Sequence, residues 1–128
     1  MTKAVRYFSK LGNTKTIAEA IAEGAGVPAV SISDEPELKE RGDVLYLGGA
    51  PYANIMAPEL KEYAEKQDAT KVGYVILFTT SNWSRRTVLA LKKLLRAKGI
   101  HVADGYFYAH MLHIKGRVDA AREFGRKA

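Results

Sequence analysis

Residues 3–18 read KAVRYFSKLGNTKTIA, and the fold follows from this stretch. Ala4, Val5, Tyr7 and Phe8 make an apolar extended run that breaks into a polar loop from Ser9 to Asn13. Thr14 then opens a helical pattern with Ile17, Ala18, Ile21 and Ala22 on one face. A strand that turns through hydroxyls and a glycine straight into a helix gathers free backbone N–H groups around a concavity. The helix N-terminus adds partial positive charge to them. Such a loop suits phosphate. Ser9 and Thr14 bring hydroxyl donors, Gly12 permits a turn that a Cβ would obstruct, and Asn13 tolerates left-handed angles. The plainer reading of the same residues is a capped helix, with Asn13 or Thr14 as N-cap.

Working outward, strand and helix patterns alternate to the end of the chain. The first strand spans 3–8 and the first helix 14–24, closed by Gly24 and Gly26; a second strand follows at 28–32 and a helical turn at Asp34-Glu35-Pro36. A third strand covers 43–48, and Pro58 starts a helix over about 57–67 with Leu60, Tyr63 and Ala64 inward. The run 71–79 is the most apolar, as expected of a central strand covered on both faces. An amphipathic helix at 86–98, a strand at 100–108 and a helix at 118–126 complete the pattern. This alternation predicts an α/β fold with a doubly wound, five-stranded parallel sheet and helices on both faces. The 128 residues suffice for one domain, 1–128, with a single core.

Composition narrows the chemistry. The chain has no cysteine, hence no disulfide, thiolate nucleophile or cysteine-based metal site. Three histidines, His101, His110 and His113, lack the acidic support expected of a metal centre, so none is assigned. The N-terminus runs directly into a strand and no apolar stretch approaches a membrane span, so a cytoplasmic protein without membrane contact is expected. A net charge of +6 raises the question of nucleic acid. The Lys and Arg residues are dispersed, however, and neither a helix-turn-helix spacing nor an RNA-binding aromatic sheet signature accompanies them, so no nucleic-acid partner is expected.

The first loop lacks the Lys-Ser/Thr end of a triphosphatase loop and the three glycines of the dinucleotide fingerprint. Its six residues, Ser9-Lys10-Leu11-Gly12-Asn13-Thr14, resemble the flavodoxin loop Ser/Thr-x-Thr-Gly-Asn-Thr, with Leu11 where the family usually has threonine. The resemblance runs over nearly the whole chain and is to the short-chain group, because the fifth strand carries no inserted lobe. It implies the strand order 2-1-3-4-5 and a flavin mononucleotide (FMN) held at the carboxyl ends of the strands, beside the first and third. Three loops would then meet, at 9–14, 49–55 and 79–85.

The second loop reads Gly48-Gly49-Ala50-Pro51-Tyr52-Ala53-Asn54-Ile55. Two glycines would let the backbone approach a flat ligand, and Pro51 would stiffen the turn presenting Tyr52. The resemblance makes Tyr52 the residue stacked on the flavin and the Ala53–Asn54 peptide the partner of its ring nitrogen N5, against a plain loop tyrosine over the sheet edge. The third loop reads Thr79-Thr80-Ser81-Asn82-Trp83-Ser84, similar to a family loop that usually carries Gly-Asp where Ser81-Asn82 stand. Asn82 can both donate and accept toward the pyrimidine edge of the ring. Trp83, the lone tryptophan, is read as a second ring cover, against packing over the start of the next helix. His110 and His113 follow the fifth strand and read as exposed residues, against contact with a substrate or partner. Neither Ser81 nor Ser84 has the glycine elbow of a hydrolytic nucleophile.

The resemblance implies an FMN-binding carrier of electrons between partner proteins. Two other functions stay open: a reductase of quinones or other small molecules using NAD(P)H, and a flavin-free binding module of the same fold. Flavodoxins are typically acidic, whereas this chain is basic. Its redox partner is therefore expected to present an acidic patch.

Overall fold

The computed structural model describes residues 2–38, 41–52, 55–81 and 83–127. The opening run forms strand β1 (Lys3–Phe8). Its alternation sends Val5 and Tyr7 into one core and Phe8, with Ala4 beside it, into the other. Helix α1 (Asn13–Ala25) follows, then β2 (Ala29–Ser31) and β3 (Gly42–Gly49). A short antiparallel pair, β4 (Pro51–Tyr52) with β5 (Ile55–Met56), precedes α2 (Pro58–Glu65). The remaining elements are β6 (Val72–Ser81), α3 (Arg86–Ala97), β7 (Val102–His110) and α4 (Ile114–Lys127).

The large sheet is parallel throughout, in the order β2-β1-β3-β6-β7. Counting its five strands in chain order, this is the expected 2-1-3-4-5. Leu45, Leu47, Val75 and Leu77 face a core closed by Leu60 of α2 and by Val88, Leu91 and Leu95 of α3. Val5, Tyr46, Ile76 and Phe78 face the other core, closed by Ile17 and Ile21 of α1 and by Ala121 of α4. The central strands are apolar on both sides because both sides are covered.

Several boundaries differ from the expected ones, each for a packing reason. The turn after β2 spans 32–34, where the N–H groups of Asp34 and Glu35 both reach the Ser31 carbonyl. Pro36 lacks an N–H and steers Glu35 away from helical angles, so no helix grows from it. Helix α4 starts at Ile114 rather than 118, since the burial of Ile114 draws the segment with Gly116 onto the sheet. Burial here outweighs the poor helix propensity of glycine. Strands β6 and β7 each run two residues further than expected, because Thr80 and Ser81 pair with Ala109 and His110.

Gly24 does not close α1. The helix ends at Gly26, in a left-handed conformation (φ 77°), with the Val27 N–H returning to the Ala22 carbonyl. Gly24 instead lies within the helix, where a Cβ would strike the Arg122 carbonyl of α4; reciprocally, a Cβ on Gly125 would strike the Ile21 carbonyl. The two glycines thus bring α1 and α4 backbone to backbone. The buried Tyr46 hydroxyl donates to the Gly125 carbonyl at 3.1 Å and fixes α4 to the sheet. Gly125→Ala is expected to lower stability by about 1–3 kcal/mol through this overpacking. Denaturant unfolding checks it, with an unchanged midpoint as the contrary result.

Candidate functional site

Pairing in register brings the carboxyl ends of four strands into one row. Phe8 is paired with Gly49, Gly49 with Thr79, and Thr79 with Tyr108. Beyond this row the chain leaves the sheet at Ser9 and Ala50, whereas β6 and β7 stay paired for two more residues, Thr80 with Ala109 and Ser81 with His110. The segments that the sequence marks meet at this end of the sheet, where Thr14 bonds Thr80 and Thr79 bonds the Gly49 carbonyl.

In the first loop Gly12 takes φ 93°, and nothing lies within 4 Å of where its Cβ would stand. The constraint on this glycine is therefore backbone conformation rather than space. Ser9 Oγ accepts the Gly12 N–H at 3.0 Å, which holds the loop closed on itself. Gly12, not Asn13 or Thr14, is the N-cap of α1, and no side chain caps the helix. The Gly12 carbonyl accepts both the backbone N–H and the hydroxyl of Thr16, each at 3.1 Å. The first turn of α1 holds no acidic residue, and Lys10 and Lys15 are exposed beside it. These features leave a positive helix terminus turned toward the loop. Leu11 is 76% exposed at the loop tip, and Asn13 is half-buried.

Thr14 faces inward. It is 1% exposed, and its hydroxyl meets that of Thr80 at 2.7 Å. Thr79, Thr80 and Ser81 do not form a loop but end β6, and all three are buried. The Thr79 hydroxyl donates to the Gly49 carbonyl at 2.7 Å, and the Ser81 hydroxyl to the Ser84 carbonyl at 2.6 Å. These hydroxyls are used within the protein, tying the third loop to the other two. Gly48 and Gly49 likewise belong to β3. A Cβ on Gly48 would collide with Phe78, and one on Gly49 would stand 2.7 Å from Leu60 Cδ2. Packing against β6 requires Gly48 and packing against α2 favours Gly49, so the space these glycines leave is filled by Phe78 and Leu60, which corrects the expectation that they clear space for a flat ligand.

Ala50 and Pro51 are half-buried at the end of β3 and the start of β4. The backbones of Pro51 and Tyr52 pair with Met56 and Ile55. Ala53, Asn54 and Asn82, together with the side chain of Tyr52, lie outside the described residues. Trp83 is 74% exposed and takes a left-handed φ of 66°, the single non-glycine residue described that does so. Its indole sits edge-on to His110, with centroids 4.5 Å apart at 68°. His110 ends β7 and is half-buried, and it contacts the exposed His113 ring at 5.5 Å.

Tyr108 is the residue that reading the sequence missed. Its hydroxyl accepts the Trp83 N–H at 2.7 Å and donates to the Ser81 carbonyl at 3.0 Å, clamping both sides of the turn. Left-handed angles cost an ordinary residue about 1–2 kcal/mol, which the clamp helps to offset. The alternation of Tyr106, Phe107 and Tyr108 marks a strand, but a phenol reaching a neighbouring strand's loop leaves no sequence pattern. Tyr108→Phe is expected to cost about 1 kcal/mol of stability and to speed amide exchange at Trp83. Hydrogen-exchange NMR reads this directly, and unaltered protection at Trp83 would contradict the clamp.

Among the described residues, no helix is long and apolar enough to cross a membrane, and no group of His, Asp or Glu could hold a metal ion. No protein-family profile and no curated relative matches the sequence. Solved structures do match, over the whole chain. A WrbA-like flavodoxin from Agrobacterium tumefaciens aligns with a TM-score of 0.75 at 24% identity, over 99% of this chain and 94% of that one. A flavodoxin from the domain Archaea gives 0.72 at 20% identity, over 98% and 99%. The Fusobacterium nucleatum flavodoxin bound to flavin mononucleotide gives 0.72 at 16%, over 98% and 95%. This chain has the flavodoxin-like fold.

Proposed function

We propose that this protein binds FMN noncovalently at the carboxyl ends of β1, β3 and β6 and carries electrons between partner proteins. The observation behind this reading is the uncapped start of α1 behind the Gly12 turn, level with a loop that exposes a tryptophan. The donor set fits a phosphate. The Ser9 and Thr14 hydroxyls and the N–H groups of the loop and first helical turn would hold it, with Lys10 and Lys15 adding charge. Leu11 supplies no hydroxyl, so the loop has one donor fewer than the flavodoxin pattern.

For the ring, Tyr52 and Trp83 are the stacking residues we assign. Ala50, Pro51, Ala53 and Asn54 would border one side, and Asn82 would meet the pyrimidine edge. Thr79, Thr80 and Ser81 would support these loops from behind through the hydroxyl bonds described. FMN supplies one- and two-electron chemistry at its ring when bound. The protein would orient the ring, exclude water from its faces and leave an edge open to a partner.

Titration with FMN tests the site. Saturation is expected to quench Trp83 fluorescence strongly, and Trp83→Ala to weaken binding by about 1 kcal/mol. A Ser9→Ala/Thr14→Ala double variant should lose about 1–3 kcal/mol of FMN affinity through its missing charge-assisted bonds. Equal affinity in that variant and the wild type would remove the phosphate from this loop. Turnover of NAD(P)H with a quinone by the FMN-loaded protein alone would instead make it a reductase.

The net charge of +6 bears on the partner. Arg85 and Arg86 are exposed where β6 leads into α3, and Lys10 is exposed on the first loop, so basic side chains rim the same end of the sheet. An acidic docking surface would be steered toward them. Electron transfer to such a partner should slow as salt rises and slow again in an Arg85→Glu/Arg86→Glu variant, because screening acts over about 8–10 Å at physiological ionic strength. A rate indifferent to both would dissociate the basic charge from docking.

A further inference from the structure

Resting on the FMN reading, we propose that Thr80 is a positioning residue that makes the first loop selective for a phosphorylated flavin, acting through Thr14 without touching the ligand. Thr80 and Thr14 stand 66 positions apart in sequence, yet their hydroxyl oxygens are 2.7 Å apart and each residue is 1% exposed. Thr80 is seated at the end of β6, where its neighbour Thr79 is bonded to the Gly49 carbonyl. The pair thus joins the end of a strand to the first turn of α1.

Either hydroxyl of this pair can be the donor. If Thr14 donates to Thr80, its proton is spent inward and it offers an anion only lone pairs. If Thr80 donates to Thr14, the Thr14 proton is free for an acceptor seated in the loop. A phosphate dianion accepts and never donates, so its arrival selects the second order. Each bond in the sequence Thr80 to Thr14 to phosphate then polarises the next, inside a region of low dielectric. A flavin without a phosphate has nothing at that position and draws no benefit from the ordering. Thr80 therefore contributes to the discrimination between FMN and riboflavin.

Calorimetric titration of the wild type, Thr80→Val and Thr80→Ser with FMN and, separately, riboflavin tests this. Thr80→Val is expected to weaken FMN binding roughly three- to tenfold and to leave riboflavin binding within about twofold, while Thr80→Ser keeps wild-type preference. Should the valine variant fail to fold, Thr80→Ala is carried through the same comparison. Equal loss for both flavins would show that Thr80 merely holds the loop, and no loss for FMN would show that it does nothing there; either overturns the proposal while FMN binding by the wild type stands. A wild type that binds neither flavin would instead remove the FMN reading, and this inference with it.

Discussion

The parallel pairing of β3 with β1 on one side and β6 on the other is the constraint from which the rest of the molecule follows. Unbroken register from Lys3↔Val44 to Phe8↔Gly49, and from Val44↔Tyr74 to Gly49↔Thr79, decides which residues stand side by side at the carboxyl ends. A one-residue slip in any pair would exchange the two core faces, sending Leu45 and Leu47 toward α1 and Val44 and Tyr46 toward α2. Such a slip is prevented by burial on both sides, not by any one bond. The register that results sets Phe8, Gly49, Thr79 and Tyr108 in one row and brings together the segments that follow them.

The helices make that end rigid. Gly24 and Gly125 allow α1 and α4 to touch at the backbone, and Tyr46 reaches from the middle of β3 to the Gly125 carbonyl. Helix α1 is thereby held from behind, which fixes the direction in which its N-terminus points. On the site side, the hydroxyls of Thr79, Thr80 and Tyr108 tie loops from different strands together. Among the described residues, the hydroxyls of Thr14, Thr79, Thr80, Ser81 and Tyr108 at this end of the sheet are bonded within the protein.

Trp83 and Leu11 are exposed at the carboxyl end of the sheet. Both are apolar, both stand about three-quarters in water, and Trp83 also holds a disfavoured backbone angle. A single exposed apolar side chain is ordinary, as Leu112 at 78% shows, so it is the left-handed angle of Trp83 that marks this residue out. On the proposed reading a flavin ring would lie over Trp83, and the exposed Lys10, Arg85 and Arg86 would set the sign of the field at that end.

The sequence by itself determined the fold class, and its resemblance to the flavodoxins implied the strand order that the pairing shows. Period-two and period-3.6 patterns record burial directly, and Gly12 is required by a local backbone angle. Local chemistry of that kind is written in neighbouring residues. Tertiary structure alone decided the rest. Gly24 reads as a helix end but serves helix packing, Gly48 and Gly49 read as room for a ligand but make room for Phe78 and Leu60, and Thr79 to Ser81 read as a loop but close a strand. The partnership of Thr14 with Thr80 and the clamp by Tyr108 join residues 66 and 25 positions apart. A side chain's role there depends on which atoms the fold brings within hydrogen-bonding distance, and sequence spacing carries no record of that distance.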